Sequence, residues 1–104
     1  MTLDFFYDNY DLKNSEIKSA LIKDNKLIIN VNVVAHLELI ANGYRPELDV
    51  NHEIEFTFDY VGNDKIYKNP VVEDVKFNDS KLSITLNGDS IVISNNYVYV
   101  KQNR

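Results

Sequence analysis

The 104-residue chain contains no cysteine and no tryptophan, and it has only 3 glycines and 2 prolines. The absence of cysteine excludes disulfides, thiolate metal sites, iron–sulfur clusters and cysteine nucleophiles. Gly43, Gly62 and Gly88 stand far apart, whereas phosphate-binding loops need several glycines within one turn. No serine lies in a G-x-S-x-G elbow. We therefore expect neither an enzyme nor a cofactor.

Long apolar runs and a basic start are also missing. No stretch approaches the roughly 20 apolar residues that cross a bilayer, and the opening residues carry acids where a signal peptide carries bases. The net charge of -5 argues against nucleic acid, because phosphate binding needs clustered Lys and Arg. We expect a cytoplasmic protein with no membrane and no nucleic acid among its partners.

The composition is that of a folded protein, with 44% hydrophobic and 26% charged residues. The length suits one core, so we expect a single all-β domain over residues 1–104. The charge is uneven, since residues 1–59 hold 11 acids and 5 bases while residues 60–104 hold 5 acids and 6 bases. The acidity of the first half either attracts a basic partner or only keeps the protein in solution.

Period-two alternation dominates the middle of the chain. Apolar residues occupy the odd positions from Leu27 to Ala41, which predicts a long strand. A helix over Val34 to Ala41, ended by Gly43, is the competing interpretation. The run from His52 to Tyr60 alternates in the opposite phase, with its phenylalanines on the core side. The two runs are expected to pair as a hairpin.

The remaining runs predict shorter strands. Ile17 to Ile22 joins the central hairpin through a turn at Asp24 and Asn25, and Leu3 to Tyr7 is either another strand or an aromatic anchor. The C-terminal third predicts a meander with turns at residues 78–80, 87–88 and 95–96. About eight antiparallel strands with short connections indicate an all-β fold, a meander forming a small sandwich or barrel.

A polar cluster is expected on the outer face of the central hairpin. If paired residue numbers sum to 91, the opposed pairs are His36 with Glu55, Glu38 with Glu53, and Asn32 with Asp59. A register in which paired residue numbers sum to 93 would also bring these side chains together on the outer face. The cluster is either a metal or acid/base site or a solvated face with ion pairs. We favour the solvated face and expect no metal, because a flat exposed surface lacks the concavity of a catalytic site.

Exposed aromatic residues have either a structural role or a binding role. We favour the structural role, which is pleat packing for Tyr97 and Tyr99 and stabilisation of the turn for Tyr44. Tyr44 and Arg45 lie in the loop at the tip of the central hairpin, where such side chains often anchor interfaces. Tyr97 and Tyr99 share one face of the last strand. The stretch from Tyr97 to Val100 is apolar on both faces and is expected to be an edge through which copies of the chain could associate.

The opening third resembles a known group of small domains. Tyr10-Asp11-Leu12 through Ser15-Glu16-Ile17, followed by Asp24-Asn25-Lys26-Leu27-Ile28-Ile29, is similar to the start of bacterial immunity-type proteins of polymorphic toxin systems. The resemblance implies a cytoplasmic protein that binds and blocks a toxin. It assigns no functional residue.

Three functions remain open from the sequence. The first is a non-catalytic protein-interaction domain, immunity-like, with a basic toxin or another protein as partner. The second is a β-barrel that carries a small ligand, and the third is a structural subunit of a larger assembly. For the first, the expected partner-binding residues are Glu38, Tyr44, Arg45, Glu47, Asp49, Glu53 and Glu55.

Overall fold

A computed structural model describes residues 1–35 and 53–103 of the chain. Within them it has a helix, α1 (Leu3–Asn9), and eight strands. The strands are β1 (Tyr10–Lys23), β2 (Lys26–Ala35), β3 (Glu53–Asp59), β4 (Lys65–Tyr67), β5 (Val72–Asn78), β6 (Lys81–Leu86), β7 (Asp89–Ile93) and β8 (Val98–Asn103). The all-β prediction is confirmed.

The described strands form two antiparallel sheets. The larger sheet has five strands in the order β4-β1-β2-β3-β8, and the smaller has three in the order β5-β6-β7. Side chains from the facing sides of both sheets share one core. The arrangement is a two-sheet sandwich, one of the two architectures that the sequence predicts.

The first residues form a helix, so the prediction of a strand from Leu3 to Tyr7 is wrong. Thr2 caps the helix, since its side-chain oxygen accepts a hydrogen bond from the Phe5 backbone N–H at 3.4 Å. Leu3 and Phe6 are both fully buried, one helical turn apart. The alternative prediction of an aromatic anchor is confirmed for Phe6.

Phe6 lies at the centre of an aromatic cluster. Its ring meets those of Phe56 and Phe58 edge to face, with centroids 4.9 and 5.3 Å apart. Tyr10 packs on both Phe6 and Phe56, at 6.0 and 5.3 Å. This geometry stabilises aromatic pairs beyond the area that they bury, and it holds α1 against the five-stranded sheet.

Two-residue turns close the hairpins as predicted. Asp24 and Asn25 have φ values of 52° and 57°, and Asn87 and Gly88 have 49° and 85°. Successive positive φ values define a type I′ turn, whose twist matches that of the flanking strands. The same conformation occurs between β5 and β6, at residues 79 and 80.

Strand β1 starts earlier than the sequence predicts, at Tyr10 rather than at Ile17. Its pairing with β2 shifts between Asp11 and Glu16, and again between Ile17 and Ser19. The Asp11 carboxylate supports the first bulge, because it accepts hydrogen bonds from the backbone and side-chain nitrogens of Asn14 at 3.2 and 2.7 Å. These bulges interrupt the alternation, which is why the pattern misses this half of the strand.

The prediction of a C-terminal meander is correct only as far as β7. Strand β8 does not pair with β7 but crosses to the other sheet and pairs with β3. The Asn96 side chain accepts a hydrogen bond from the Leu3 backbone N–H at 3.3 Å in this crossover. The pair Asn95-Asn96 therefore only resembles a hairpin turn. The sequence patterns also do not predict β4, which is three residues long and pairs with β1.

Candidate functional site

One apolar row crosses the whole outer face of the five-stranded sheet. Ile66 of β4 lies opposite Leu21 of β1, Leu21 opposite Ile28 of β2, and Ile28 opposite Thr57 of β3. Thr57 in turn lies opposite Tyr99 of β8. Four of the five side chains are apolar or aromatic, on the face that points away from the core.

Both ends of this outer apolar row are open to solvent. Ile66 is 77% exposed and Tyr99 is 50% exposed. The Tyr99 ring meets that of Tyr97 at a centroid distance of 4.8 Å, and Lys26 Nζ lies 5.6 Å from the Tyr99 centroid. Leu21 and Ile28, on inner strands, are half-buried. The row thus ends in an exposed aromatic pair of the kind that anchors protein interfaces.

A row of charges flanks the apolar row on the side of the β1–β2 turn. Lys23 lies opposite Lys26, and Lys26 opposite Asp59. Lys26 Nζ donates a hydrogen bond of 2.8 Å to Asp59 Oδ1, and this bond raises the pKa of Lys26. The pair is partly exposed, so its contribution to stability is small. From β1 to β3 this row therefore carries two positive side chains and then a negative one.

Polar residues flank the apolar row on its other side. In the adjacent row Ser19 lies opposite Asn30, Asn30 opposite Glu55, and Glu55 opposite Lys101. The charges here are mixed, and the acid Glu55 faces a base across the strands.

One row further out, Lys18 and Glu16 form an ion pair at 2.7 Å. The hydrogen bond from Lys18 lowers the pKa of Glu16, and Asn32 adds to the effect. The same bond raises the pKa of Lys18, and the charge of Glu53 contributes further. In the described part of the chain, the outer face therefore carries both signs of charge around an apolar centre.

The predicted partner-binding residues are only partly described. Glu53 and Glu55 lie on the outer face of β3, as the alternation predicts. The other predicted residues lie in 36–52, outside the described residues, as do His36 and His52; they are Glu38, Tyr44, Arg45, Glu47 and Asp49.

The predicted register of the central hairpin is wrong. Paired residue numbers of β2 and β3 sum to 85, not to 91 or 93, so Glu55 faces Asn30 and Asp59 faces Lys26. Parity alone could not separate these registers, because every odd sum joins the two apolar faces. The observed sum brings Lys26 to Asp59, an opposite-charge pair that alternation could not reveal.

Strand β8 is an edge of the sheet among the described strands, as predicted. At its start, the Val98 N–H donates a hydrogen bond of 2.7 Å to the Met1 carbonyl, and the Met1 nitrogen donates one of 2.9 Å to the Val98 carbonyl. Met1 therefore already covers the first residue of this edge. Association of copies through residues 97–100 stays a prediction.

A second polar cluster joins the two sheets. The Tyr67 hydroxyl of β4 donates a hydrogen bond of 2.8 Å to Asp89 Oδ2 of β7, and Lys65 Nζ donates one of 2.7 Å to the same oxygen. Burial, with the hydrogen bond to Asp89, raises the pKa of Tyr67 to about 12. The bonds from Lys65 and Tyr67 lower the pKa of Asp89. These contacts fasten the edge strand β4 to the smaller sheet.

An open groove of about 600 Å³ lies beside the charged row. Residues 24–26 and 59–61 form one side, and Val92, Ser94 and Asn95 form the other. Lys26 and Asp59 belong both to the groove and to the outer face. The groove extends the outer face of the larger sheet towards the smaller sheet.

Comparisons with known proteins do not assign a family. No protein-family model, curated protein or solved structure matches this chain. The resemblance to immunity-type domains therefore stays a prediction. In residues 1–35 and 53–103, no helix is long and apolar enough to span a membrane, and no group of three or more His, Cys, Asp or Glu side chains is placed to hold a metal ion.

The apolar row is the feature that reasoning from the sequence missed. Ile28 stands in the polar phase of its strand, between Lys26 and Asn30, and Leu21 and Ile66 similarly interrupt polar surroundings. Each of these apolar residues at a polar position of the alternation can be recognised in the sequence. Their alignment across five strands depends on registers that alternation does not determine.

Proposed function

We propose that this protein is a non-catalytic protein-interaction domain whose binding surface is the outer face of its five-stranded sheet. The outer apolar row supports the proposal. The core of a protein interface is typically apolar and aromatic, with a polar rim, and here charged rows flank Leu21, Ile28 and Tyr99. Solvated faces of antiparallel sheets usually carry polar residues instead.

The outer face of the smaller sheet provides the comparison within the same molecule. Its cross-strand rows are Asp74 with Thr85 and Ser90, and Lys76 with Ser83 and Val92. Val92 is the single large apolar side chain in these two rows. An apolar row is thus specific to the larger sheet, which favours it as the binding surface.

The partner that we propose is a basic protein. The net charge of -5 attracts a positively charged partner over a long range and accelerates association. The resemblance of the opening third to immunity-type domains suggests a toxin as this partner, in the cytoplasm of a bacterium. A small-ligand carrier is less well supported, because the inward-facing Phe6, Phe56 and Phe58 pack on one another in the core.

The proposal is tested with two matched glutamate variants. Ile28→Glu places a charge at the centre of the apolar row, on the central strand of the larger sheet. Ser83→Glu places the same charge opposite Lys76, on the central strand of the smaller sheet. Both sites are half-buried and face away from the core, and circular dichroism verifies that both variants are folded.

The readout is cross-linking in the native cell, followed by quantitative mass spectrometry and by calorimetric titration with the purified partner. We expect the wild type and Ser83→Glu to retain the same partner, and Ile28→Glu to lose at least tenfold in affinity. Loss of the partner from both folded variants, or from neither, would contradict the proposal.

A further inference from the structure

We infer that Asn87 is a site of spontaneous deamidation, and that the fold delays this reaction by holding the Asn87 side chain in hydrogen bonds. Asn87 and Gly88 form the exposed turn between β6 and β7. An asparagine followed by a glycine is especially prone to this modification, because glycine has no side chain to hinder its backbone nitrogen. The chain has a second such pair, Asn42-Gly43, outside the described residues. The inference goes beyond the proposed function and does not depend on it.

The reaction is an intramolecular substitution followed by hydrolysis. The Gly88 backbone nitrogen bonds to Cγ of Asn87, and the Cγ–Nδ2 bond breaks. Nδ2 leaves as ammonia after taking up the proton of the Gly88 N–H, and a succinimide ring remains. Water then opens the ring at one of its two carbonyl carbons. Breaking the new Cγ–N bond gives aspartate, whereas breaking the original peptide bond gives isoaspartate.

The fold engages both polar atoms of the Asn87 carboxamide. Nδ2 donates a hydrogen bond of 3.0 Å to the Lys68 carbonyl oxygen, and Oδ1 accepts one of 2.7 Å from the Val71 N–H. The Asn87 backbone N–H also donates a bond of 3.0 Å to the Val71 carbonyl oxygen. Because Nδ2 is the leaving atom and Cγ must turn towards Gly88, ring closure requires the two carboxamide bonds to break first.

The backbone of the turn imposes a second restraint. Asn87 and Gly88 have φ values of 49° and 85°, as in a type I′ turn, and the flanking Leu86 and Asp89 are paired. This turn type holds ψ of its first central residue at about 30°, which places the Gly88 nitrogen almost opposite Cβ about the Cα–C bond of Asn87. A succinimide needs Cβ and this nitrogen on the same side of that bond. The turn must therefore open locally before the nitrogen can reach Cγ.

Neither product restores the contacts of the asparagine. Aspartate has an oxygen where Nδ2 stood, so a charged acceptor would replace the donor that lies 3.0 Å from the Lys68 carbonyl oxygen. Isoaspartate lengthens the main chain by one carbon, which a two-residue turn does not accommodate. Both products therefore weaken the attachment of residues 68–71, which join β4 to β5, to this turn. The converted fraction of the protein records how long the turn has been open.

The test follows deamidation of the full chain in mildly alkaline buffer, with and without urea, by peptide mapping and mass spectrometry. Trypsin releases residues 82–101, which include Asn87. The same peptide holds Asn95 and Asn96, which no glycine follows and which serve as internal controls. In urea we expect Asn87 to react at least about tenfold faster than either control, and Gly88→Ala to remove this advantage. In the folded chain we expect the reaction at Asn87 to slow at least about tenfold.

Hydrogen exchange of the Val71 N–H, measured by NMR, reports directly on the bond to Asn87 Oδ1. Because the carboxamide bonds must break first, the slowing of deamidation on folding should be at least as large as the protection of this N–H against exchange. A smaller slowing would overturn the inference, since the reaction would then proceed with the bonds intact. The inference would also be overturned if Asn87 reacted no faster than Asn95 in urea, or equally fast in the folded chain and in urea.

Discussion

The Tyr67 hydroxyl lies 2.8 Å from Asp89 Oδ2 and donates a hydrogen bond that joins the edge strand β4 to β7 of the other sheet. The Tyr67 side chain belongs to the core, with 5% of its surface exposed. Its neighbour Ile66 points the opposite way and ends the outer apolar row. The strand that fastens the two sheets at this edge therefore also positions one end of the proposed binding surface.

This contact predicts a loss of stability at high pH. The unfolded chain releases the tyrosine proton near pH 10, whereas the folded chain holds the Tyr67 proton until about pH 12. The raised pKa therefore contributes stability that is complete below pH 10 and is lost as the pH rises from about 10 to about 12. Urea unfolding at several pH values measures this decline.

Tyr67→Phe is the control for the pH experiment, because it removes the titrating hydroxyl and keeps the ring. We expect the variant to be less stable by about 1–2 kcal/mol at neutral pH and to decline less steeply above pH 10. The raised pKa of Tyr10 is common to both proteins and cancels in the comparison. Parallel stability curves for wild type and variant above pH 10 would contradict the assignment to Tyr67.

The helix at the start of the chain is expected to depend on one of two adjacent phenylalanines. Phe6 is fully buried in the aromatic cluster, whereas Phe5 is 47% exposed. Phe6→Ala should cost about 3–5 kcal/mol, the usual loss for a buried phenylalanine. Phe5→Ala, the control on the same helix, should change the free energy of unfolding by less than about 0.5 kcal/mol. Equal losses in denaturant unfolding would show that α1 is not held through Phe6.

The sequence predicts which side chains of the alternating strands face the core, because burial imposes a period of two on a sheet that is solvated on one side. Ile54, Phe56 and Phe58 face the core as their phase requires. Turns were predicted for a similar local reason, since Asn87-Gly88 has the backbone freedom that a type I′ turn needs. These features depend on residues close together in the sequence.

The features that were not predicted depend on distant residues. The helix around Phe6 forms because its buried face meets Phe56 and Phe58, which lie some fifty positions away. The crossover before β8 depends on Asn96 meeting Leu3 across the chain. The outer apolar row needs four correct registers at once, and a shift of two residues in any pair leaves the alternation intact. Local patterns cannot determine such relationships.

The turn between β6 and β7 is expected to tolerate asparagine better than alanine. Gly88 has a φ of 85°, and a Cβ built there would meet no atom within 4 Å. The cost of Gly88→Ala is therefore conformational rather than steric, about 1 kcal/mol. Gly88→Asn should cost less, because asparagine adopts positive φ more readily. The midpoints of urea unfolding compare the two variants, and equal or reversed costs would contradict a conformational origin.

The most direct test of the proposed binding surface is the solvent exposure of methyl groups, measured by NMR with a soluble paramagnetic agent. In the free monomer, the methyls of Ile66 and of Val92, which are 77% and 44% exposed on opposite sheets, should both relax strongly. With the purified partner added, we predict that Ile66, Ile28 and Leu21 lose this enhancement while Val92 keeps it. Protection of Val92 with Ile28 and Ile66 still exposed would contradict binding through the five-stranded sheet.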